Sequence, residues 1–261
     1  MAAHASFDFT GTNVVVTGAS RGIGAACVRA FAGAGARVAL VARSTADMEA
    51  IAAQIGGDPI VITANLTAED DVRRVADEVV DRMGAVDVLV NNAGMGWNQP
   101  ADAITPKRLD LQLDLNLRNV ILLTSWLAPS LIERRGSVVN MSSIAAWSGG
   151  TEQAVYAATK GALNSLTANL GRTWGPHGVR VNGIAPGFTD TDIWAALRTT
   201  LGEAGYEEFV ATVTRSIPLR RWASSEEMAQ VALFLCSDAA SYVTSQTLIV
   251  DGGCGPMPEG T

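Results

Sequence analysis

The chain predicts a doubly wound α/β fold, with seven parallel strands in one sheet and helices packed on both of its faces. Three observations predict it. Short apolar runs alternate with helix-length segments from one end of the 261 residues to the other. The runs are near-continuous in Val, Ile and Leu, which implies burial on both faces, as in a parallel sheet. No linker, repeat or low-complexity stretch interrupts the alternation, so right-handed crossovers build a single layered unit. One large α/β domain over 1–261 accommodates this length and its 48% hydrophobic content.

In chain order, the first strand is NVVVTG (13–18), followed by a glycine-rich turn and a helical pattern over 22–34. RVALVA (37–42) is the second strand and leads to a helix over 45–55. PIVIT (59–63) is the third, before a helix over 68–83, and VDVLVN (86–91) is the fourth. A long helical stretch, roughly 107–132, separates it from GSVVNMS (136–142), and a helix over 154–174 follows. VRVNGIA (179–185) is the sixth strand, and TLIVDGG (247–253), after a helix over 225–237, is the seventh. Between these last two strands, residues 188–224 form an unusually long connection. Excess chain just past the C-terminal end of a strand is where substrate lids sit in such sheets, so this insertion is expected to be a lid.

Composition removes several function classes. The net charge is −7, and the arginine pairs at 73–74, 134–135 and 220–221 are short and scattered. No basic stripe follows a phosphate backbone, so no nucleic-acid partner is expected. Cys27, Cys236 and Cys254 are far apart, with no CxxC or Cys/His cluster, which predicts reduced thiols and no metal site. His4 and His177 are the only histidines and offer little to a histidine-centred triad. The first residues lack a cationic start followed by an apolar stretch, and no run approaches 18 apolar residues. A cytoplasmic protein with no membrane segment is expected.

The turn TGASRGIG places Gly18, Gly22 and Gly24 between the first strand and the first helix, with Ser20, Arg21 and Ile23 among them. Backbone amides there can approach a pyrophosphate, and the helix N-terminus adds a favourable field. The spacing is G-x3-G-x-G rather than G-x-G-x-x-G, so its position directly after the first strand carries the reading: a Rossmann-like dinucleotide site. An acidic residue normally reads the ribose 2′-OH at the end of the second strand, where this chain has Ala42 and then Arg43. Arg43 and Arg21 favour a 2′-phosphate by charge-assisted bonding, with no carboxylate to oppose it, and point to NADP(H).

Tyr156 and Lys160, four apart, share one face of a helix. An unperturbed phenol titrates near pH 10; an adjacent ammonium and a positively charged nicotinamide would pull it toward neutrality. A tyrosine and a serine hydroxyl aimed at the alkoxide-like oxygen left by hydride transfer would stabilise and protonate it.

TGASRGIG, NNAG (91–94), Asn116 within LNL, the serines 142–143, YAATK (156–160) and APG (185–187) together resemble the short-chain dehydrogenase/reductase family. Their order and spacing match over roughly residues 10–255, and residues 216–253 are similar to its 3-oxoacyl-carrier-protein reductase-like branch. The resemblance implies four catalytic positions. Tyr156 is the proton donor and acceptor, Lys160 binds the nicotinamide ribose and tunes the phenol, and Ser143 (rather than Ser142) holds the substrate oxygen. Asn116 anchors a water that relays protons to Lys160. It further implies that Asn92, Ala93 and Gly94 wall the adenosine pocket and that Asn65 and Leu66 lie at the adenine. Pro186, Gly187, Thr189 and Thr191 would face the nicotinamide and phosphates. Three positions depart from the family pattern: Asn65 stands where Asp is frequent, and Arg220 and Ser245 where glycine is.

Met95 and Trp97 after NNAG, Trp147 after Ser143, and Phe188 and Trp194 after APG predict an apolar, partly aromatic pocket suited to a hydrophobic ketone. Glu152 and Gln153 could hydrogen-bond a polar group, and no cation sits in these loops to recruit a carboxylate. The expected function is NADPH-dependent reduction of a ketone to a secondary alcohol. A 3-oxoacyl thioester on an acyl carrier protein is one candidate substrate, with Arg134 and Arg135 as a small basic docking patch. NAD-linked oxidation of an alcohol, sugar or steroid is the enzymatic alternative. A dinucleotide sensor should have lost the tyrosine, lysine or serine, and this chain retains all three. The resemblance also implies a homotetramer built through the tyrosine-bearing helix, its predecessor, and the C-terminal strand and helix.

Overall fold

The computed structural model describes residues 6–148 and 152–255, so His4 lies outside the described residues. The strands are β1 (Asn13–Thr17), β2 (Arg37–Ala42), β3 (Ile60–Thr63), β4 (Val88–Asn91), β5 (Ser137–Met141), β6 (Arg180–Pro186) and β7 (Thr247–Val250). They form one parallel sheet in the order β3-β2-β1-β4-β5-β6-β7. The helices are α1 (Gly22–Gly33), α2 (Thr45–Ala52), α3 (Glu69–Met83), α4 (Pro106–Leu113), α5 (Asn119–Arg134) and α6 (Ala145–Ser148). They continue with α7 (Ala154–Trp174), α8 (Ala195–Ser216) and α9 (Ser225–Cys236).

The continuous apolar strands divide their side chains between two cores, as the period of two requires. Val14, Val16, Val38 and Leu40 pack with Val28 and Phe31 of α1, Met48 and Ile51 of α2, and Met228 and Leu235 of α9. Val15, Ala39, Val41, Ile62 and Leu89 point the other way, onto Val72 and Val75 of α3 and Leu123 and Leu127 of α5. Leu170 and Trp174 of α7 complete that layer. Each fully buried Leu, Ile or Phe contributes about 1.5–3 kcal/mol of apolar burial, which holds both helical layers on the sheet.

Strand order reverses between β1 and β4, and the crevice at that switch, beyond the C-terminal strand ends, is where such sheets bind ligands.

Two elements depart from the sequence expectation, and a third takes a form it left open. The helix expected over 107–132 is split: a π-helical turn, Asp114–Arg118, lies between α4 and α5. Strand β7 ends at Val250 rather than 253, because Gly252 (φ 67°) and Gly253 (φ 86°) turn the chain. A side chain at Gly252 would meet Ile217 at 2.8 Å. In the 188–224 insertion, α8 is kinked at Gly202 (φ 67°, ψ 171°). Its base is an aromatic cluster in which Phe188 stacks on Trp194 at 5.7 Å, with Phe209 and Trp222 against them.

Arg220 and Ser245, where the resembled pattern has glycine, sit at φ 58° and 63°. Both positions therefore need the left-handed backbone that glycine adopts freely, and this chain meets it with L side chains.

Candidate active site

A cleft of about 1040 Å³ opens over the C-terminal strand ends. At one end the β1–α1 turn supplies Gly18, Ser20, Arg21, Gly22 and Ile23 to its wall. Gly18 (φ 66°) has no room for a side chain, since a Cβ would lie 2.8 Å from Asn92 Nδ2 and 2.9 Å from Ala93 Cα. Asn92 Nδ2 donates to Thr17 O at 2.9 Å, so the NNAG loop braces the turn, and Ala93 and Gly94 continue the wall. Asn91 is structural: its amide donates to Thr124 Oγ1 and Asn140 Oδ1, both at 2.9 Å. Gly24 does not line the cleft. A Cβ there would come within 2.2 Å of Gly18 O, so its role is to let α1 press against the turn.

Arg43, Asn65 and Leu66 line the far end. Asn65 Oδ1 is taken by Thr67, accepting from its N at 3.3 Å and its Oγ1 at 2.9 Å, which leaves only the amide nitrogen for a base. Sequence reasoning missed two residues here. Ser44 lines the cleft and is the N-cap of α2, accepting from Asp47 N at 3.4 Å. Serine directly before a helix is a readable signal for such a cap. Asp47 also lines the cleft, so the absence of a carboxylate inferred from the strand end is corrected: the acid comes from the first turn of α2. Arg21 faces another carboxylate, Asp192, at 3.9 Å across the cleft, with both side chains exposed.

These residues fit a dinucleotide. Crowded glycines leave bare amides beside a helix start, and Arg21, Arg43, Ser44 and Asp47 line the end of the cleft beside them.

At the other end, α7 brings Tyr156 and Lys160 against the β5–α6 loop. Ser143 stands beside the Tyr156 hydroxyl, close enough to act on its titration. Ser142 is turned away, its Oγ 2.7 Å from Asn164 Oδ1 and 3.2 Å from Lys160 O, so Ser143 is the serine that faces the tyrosine. Lys160 is 4% exposed; its Nζ donates to Met141 O at 2.7 Å and lies 5.6 Å from the Tyr156 ring centroid.

Burial lowers the Lys160 ammonium to about 8. Tyr156 is shifted up, not down: burial raises its phenol and the Ser143 hydrogen bond offsets part of that. Desolvation of the phenolate dominates, and the downward pull comes from Ser143 rather than from Lys160.

Asn116 sits in the π turn, where the extra residue re-aims its side chain. Its Oδ1 accepts from Met95 N at 2.9 Å, and its Nδ2 donates to Met95 O at 2.7 Å and Thr159 Oγ1 at 3.2 Å. Met95 is thereby fixed, Gly94 lies against Asn116 Oδ1 and Lys160 Nζ, and Gly96 lies against the Tyr156 ring.

Met95, Trp97, Gln153, Phe188 and Trp194 line the substrate side, joined by Pro186, Gly187, Thr189 and Thr191. Trp194 Nε1 donates to Thr189 O at 3.0 Å, tying the insertion to the β6 loop. Trp147 is not part of this wall; it is 47% exposed, on the short helix α6, away from the cleft. The loops after the motifs bring no cation, but a helix outside them does. Arg108 of α4, a helix that the loop motifs do not include, lines the cleft over Trp97. Of the two arginines read as a docking patch, Arg134 is paired with Asp87 at 2.7 Å, and Arg135 forms the left-handed end of α5.

Comparison with known proteins agrees with this geometry. Residues 18–255 match a family model described as enoyl-(acyl carrier protein) reductase. The chain is 38% identical to a probable galactose dehydrogenase of Rhizobium meliloti, covering 94% of this chain and 96% of that protein. It is 35% identical to a 3-oxoacyl-[acyl-carrier-protein] reductase of Thermotoga maritima, covering 92% and 96%. The crystal structure of a short-chain dehydrogenase/reductase, glucose/ribitol dehydrogenase, of Brucella melitensis superposes with a TM-score of 0.88 at 33% identity, over 96% of this chain and 99% of that one.

Proposed function

The chain belongs to the short-chain dehydrogenase/reductase family, oxidoreductases that act on CH–OH and C=O groups, and from that premise we propose that it is an NADP(H)-dependent carbonyl reductase. The observation that carries the proposal is the meeting of Tyr156, Ser143 and the buried Lys160 in one cleft, with Lys160 Nζ 5.6 Å from the Tyr156 ring centroid. The two hydroxyls form one acceptor-facing pair, suited to hold a ketone oxygen and to stabilise charge as it develops there. When bound, the cofactor supplies the hydride.

With its phenol raised by burial, Tyr156 is protonated at neutral pH, the state needed to donate a proton to the reduced oxygen. Lys160 stands near its midpoint at slightly alkaline pH and can return that proton, and Asn116, bonded to Met95 and Thr159, holds the wall beside it. Phosphate on the ribose would be read by Arg43, Arg21 and the Ser44 cap, which favours NADP(H) despite Asp47 nearby. Residues 188–224 serve as the substrate lid, with Phe188 and Trp194 giving the pocket its apolar floor. The relative from Thermotoga maritima keeps 3-oxoacyl thioesters on a carrier protein among the substrates to test.

The test is oxidation of NADPH, with NADH in parallel, against a panel of neutral ketones and a 3-oxoacyl thioester. Tyr156→Phe should lower kcat about 10²–10⁴-fold while NADPH binding, read by fluorescence titration, stays within about threefold. A variant with wild-type turnover would remove Tyr156 from its role. Turnover with NADH alone would overturn the cofactor assignment.

A further inference from the structure

Arg108 is the one cation in the substrate half of the cleft that this function leaves unused among the described residues. Its guanidinium carbon lies 5.6 Å from the Trp97 ring centroid. Arg108, Gln112 and Asn116 are four residues apart, and this face of α4 and the π turn holds the loop after β4 rung by rung. Asn116 bonds Met95, Gln112 Oε1 accepts from Trp97 N at 3.4 Å, and the Arg108 guanidinium stands over the Trp97 ring. The loop is pinned from the other side as well: Gln99 N donates to Glu152 O at 2.7 Å and Gln153 Nε2 to Asn98 Oδ1 at 3.4 Å. Arg108 therefore sits on a braced platform whose inner end, Gly96, touches the Tyr156 ring.

No carboxylate of the described residues lies within 4.0 Å of the guanidinium. A cation–π contact with the indole uses none of the guanidinium N–H donors, so they stay open to a bidentate carboxylate. Arg108 stands about two turns along the axis from Asn116, on the order of 10 Å.

We propose that Arg108 is the anion anchor of the substrate pocket, and that the preferred substrates are ketones carrying a carboxylate several bonds from the carbonyl. The proposal rests on the carbonyl-reductase reading. Glu152, which lines the same cleft, excludes an anion from its own side and directs it to Arg108, while accepting hydrogen bonds from substrate hydroxyls.

The experiment compares 3-oxobutanoate, 5-oxohexanoate and 7-oxooctanoate with their methyl esters, using NADPH and the full chain as wild type, Arg108→Gln and Arg108→Lys. For at least one of the two longer pairs, the wild type should show an acid-over-ester ratio in kcat/KM of about tenfold or more, carried by KM. Arg108→Gln should bring that ratio close to one, and Arg108→Lys should retain part of it. A ratio near one in the wild type overturns the proposal, as does a ratio that survives Arg108→Gln. Esters reduced with acids untouched would sink this inference alone. Failure to reduce any ketone would sink the carbonyl-reductase reading and this inference with it.

Discussion

Lys160 carries a testable consequence of its burial. Its folded-state value is lowered to about 8 from an ordinary 10.5, because desolvation disfavours the ammonium. Between those two values the unfolded chain holds more protons than the folded one at this site, so its contribution to stability rises with pH across the window. The same contribution is lost as pH falls through about 8. Cys27 and Cys236, raised to about 12 by burial, act in the opposite sense above about pH 9, so the lysine must be isolated by difference. Urea unfolding of wild type and Lys160→Met from pH 7 to 10.5 provides that difference: the advantage of the variant should shrink as pH rises. A pH-independent difference would show that Lys160 is not desolvated as described.

Elements of this fold succeed or fail on single backbone conformations. The π turn at 114–118 carries Asn116 into contact with Met95, a placement that an unbroken helix would shift around the axis. Ser245 is the opposite case, a side chain held at φ 63° just before β7, where its N donates to Val181 O at 2.8 Å. The left-handed conformation costs an L-residue about 1–2 kcal/mol, whereas glycine adds about 0.5–1 kcal/mol of unfolded-state entropy. Ser245→Gly should therefore raise unfolding stability by about 0.5–1 kcal/mol, measured by urea denaturation at constant m-value. A loss of stability would mean that the Ser245 side chain contributes contacts that outweigh the strain.

At the scale of the whole molecule, the edge strand β7 leaves Leu248 and Ile249 43% and 40% exposed, and Tyr242 projects fully beside it. An apolar sheet edge of this kind calls for a cover. The homotetramer that the family resemblance implies would supply one, using α7, its predecessor α5, the C-terminal strand β7 and the C-terminal helix α9. Sedimentation equilibrium should return four copies of the 27.2 kDa chain, and substitution of Leu248 and Ile249 by lysine should shift the population toward smaller species. A monomer at micromolar concentration would overturn the assembly. No helix of the described residues is long and apolar enough to cross a membrane.

The sheet was legible in the residues alone, because strands buried on both faces must be apolar throughout, and that pattern is local. The sequence also carried the glycine turn and the Tyr156–Lys160 spacing, since both are short-range backbone geometry. Features that depend on distant segments meeting emerged from the folded chain. Burial, not the neighbouring lysine, controls the phenol of Tyr156, because desolvation depends on everything packed around it. Gly24 packs rather than lines, since Gly18 O lies where its side chain would be. Trp147 leaves the cleft while Arg108 enters it, because α4 and the β4 loop converge from separate parts of the chain. A motif names residues in order along the chain, whereas a pocket is assembled from whatever the packing of that chain brings together.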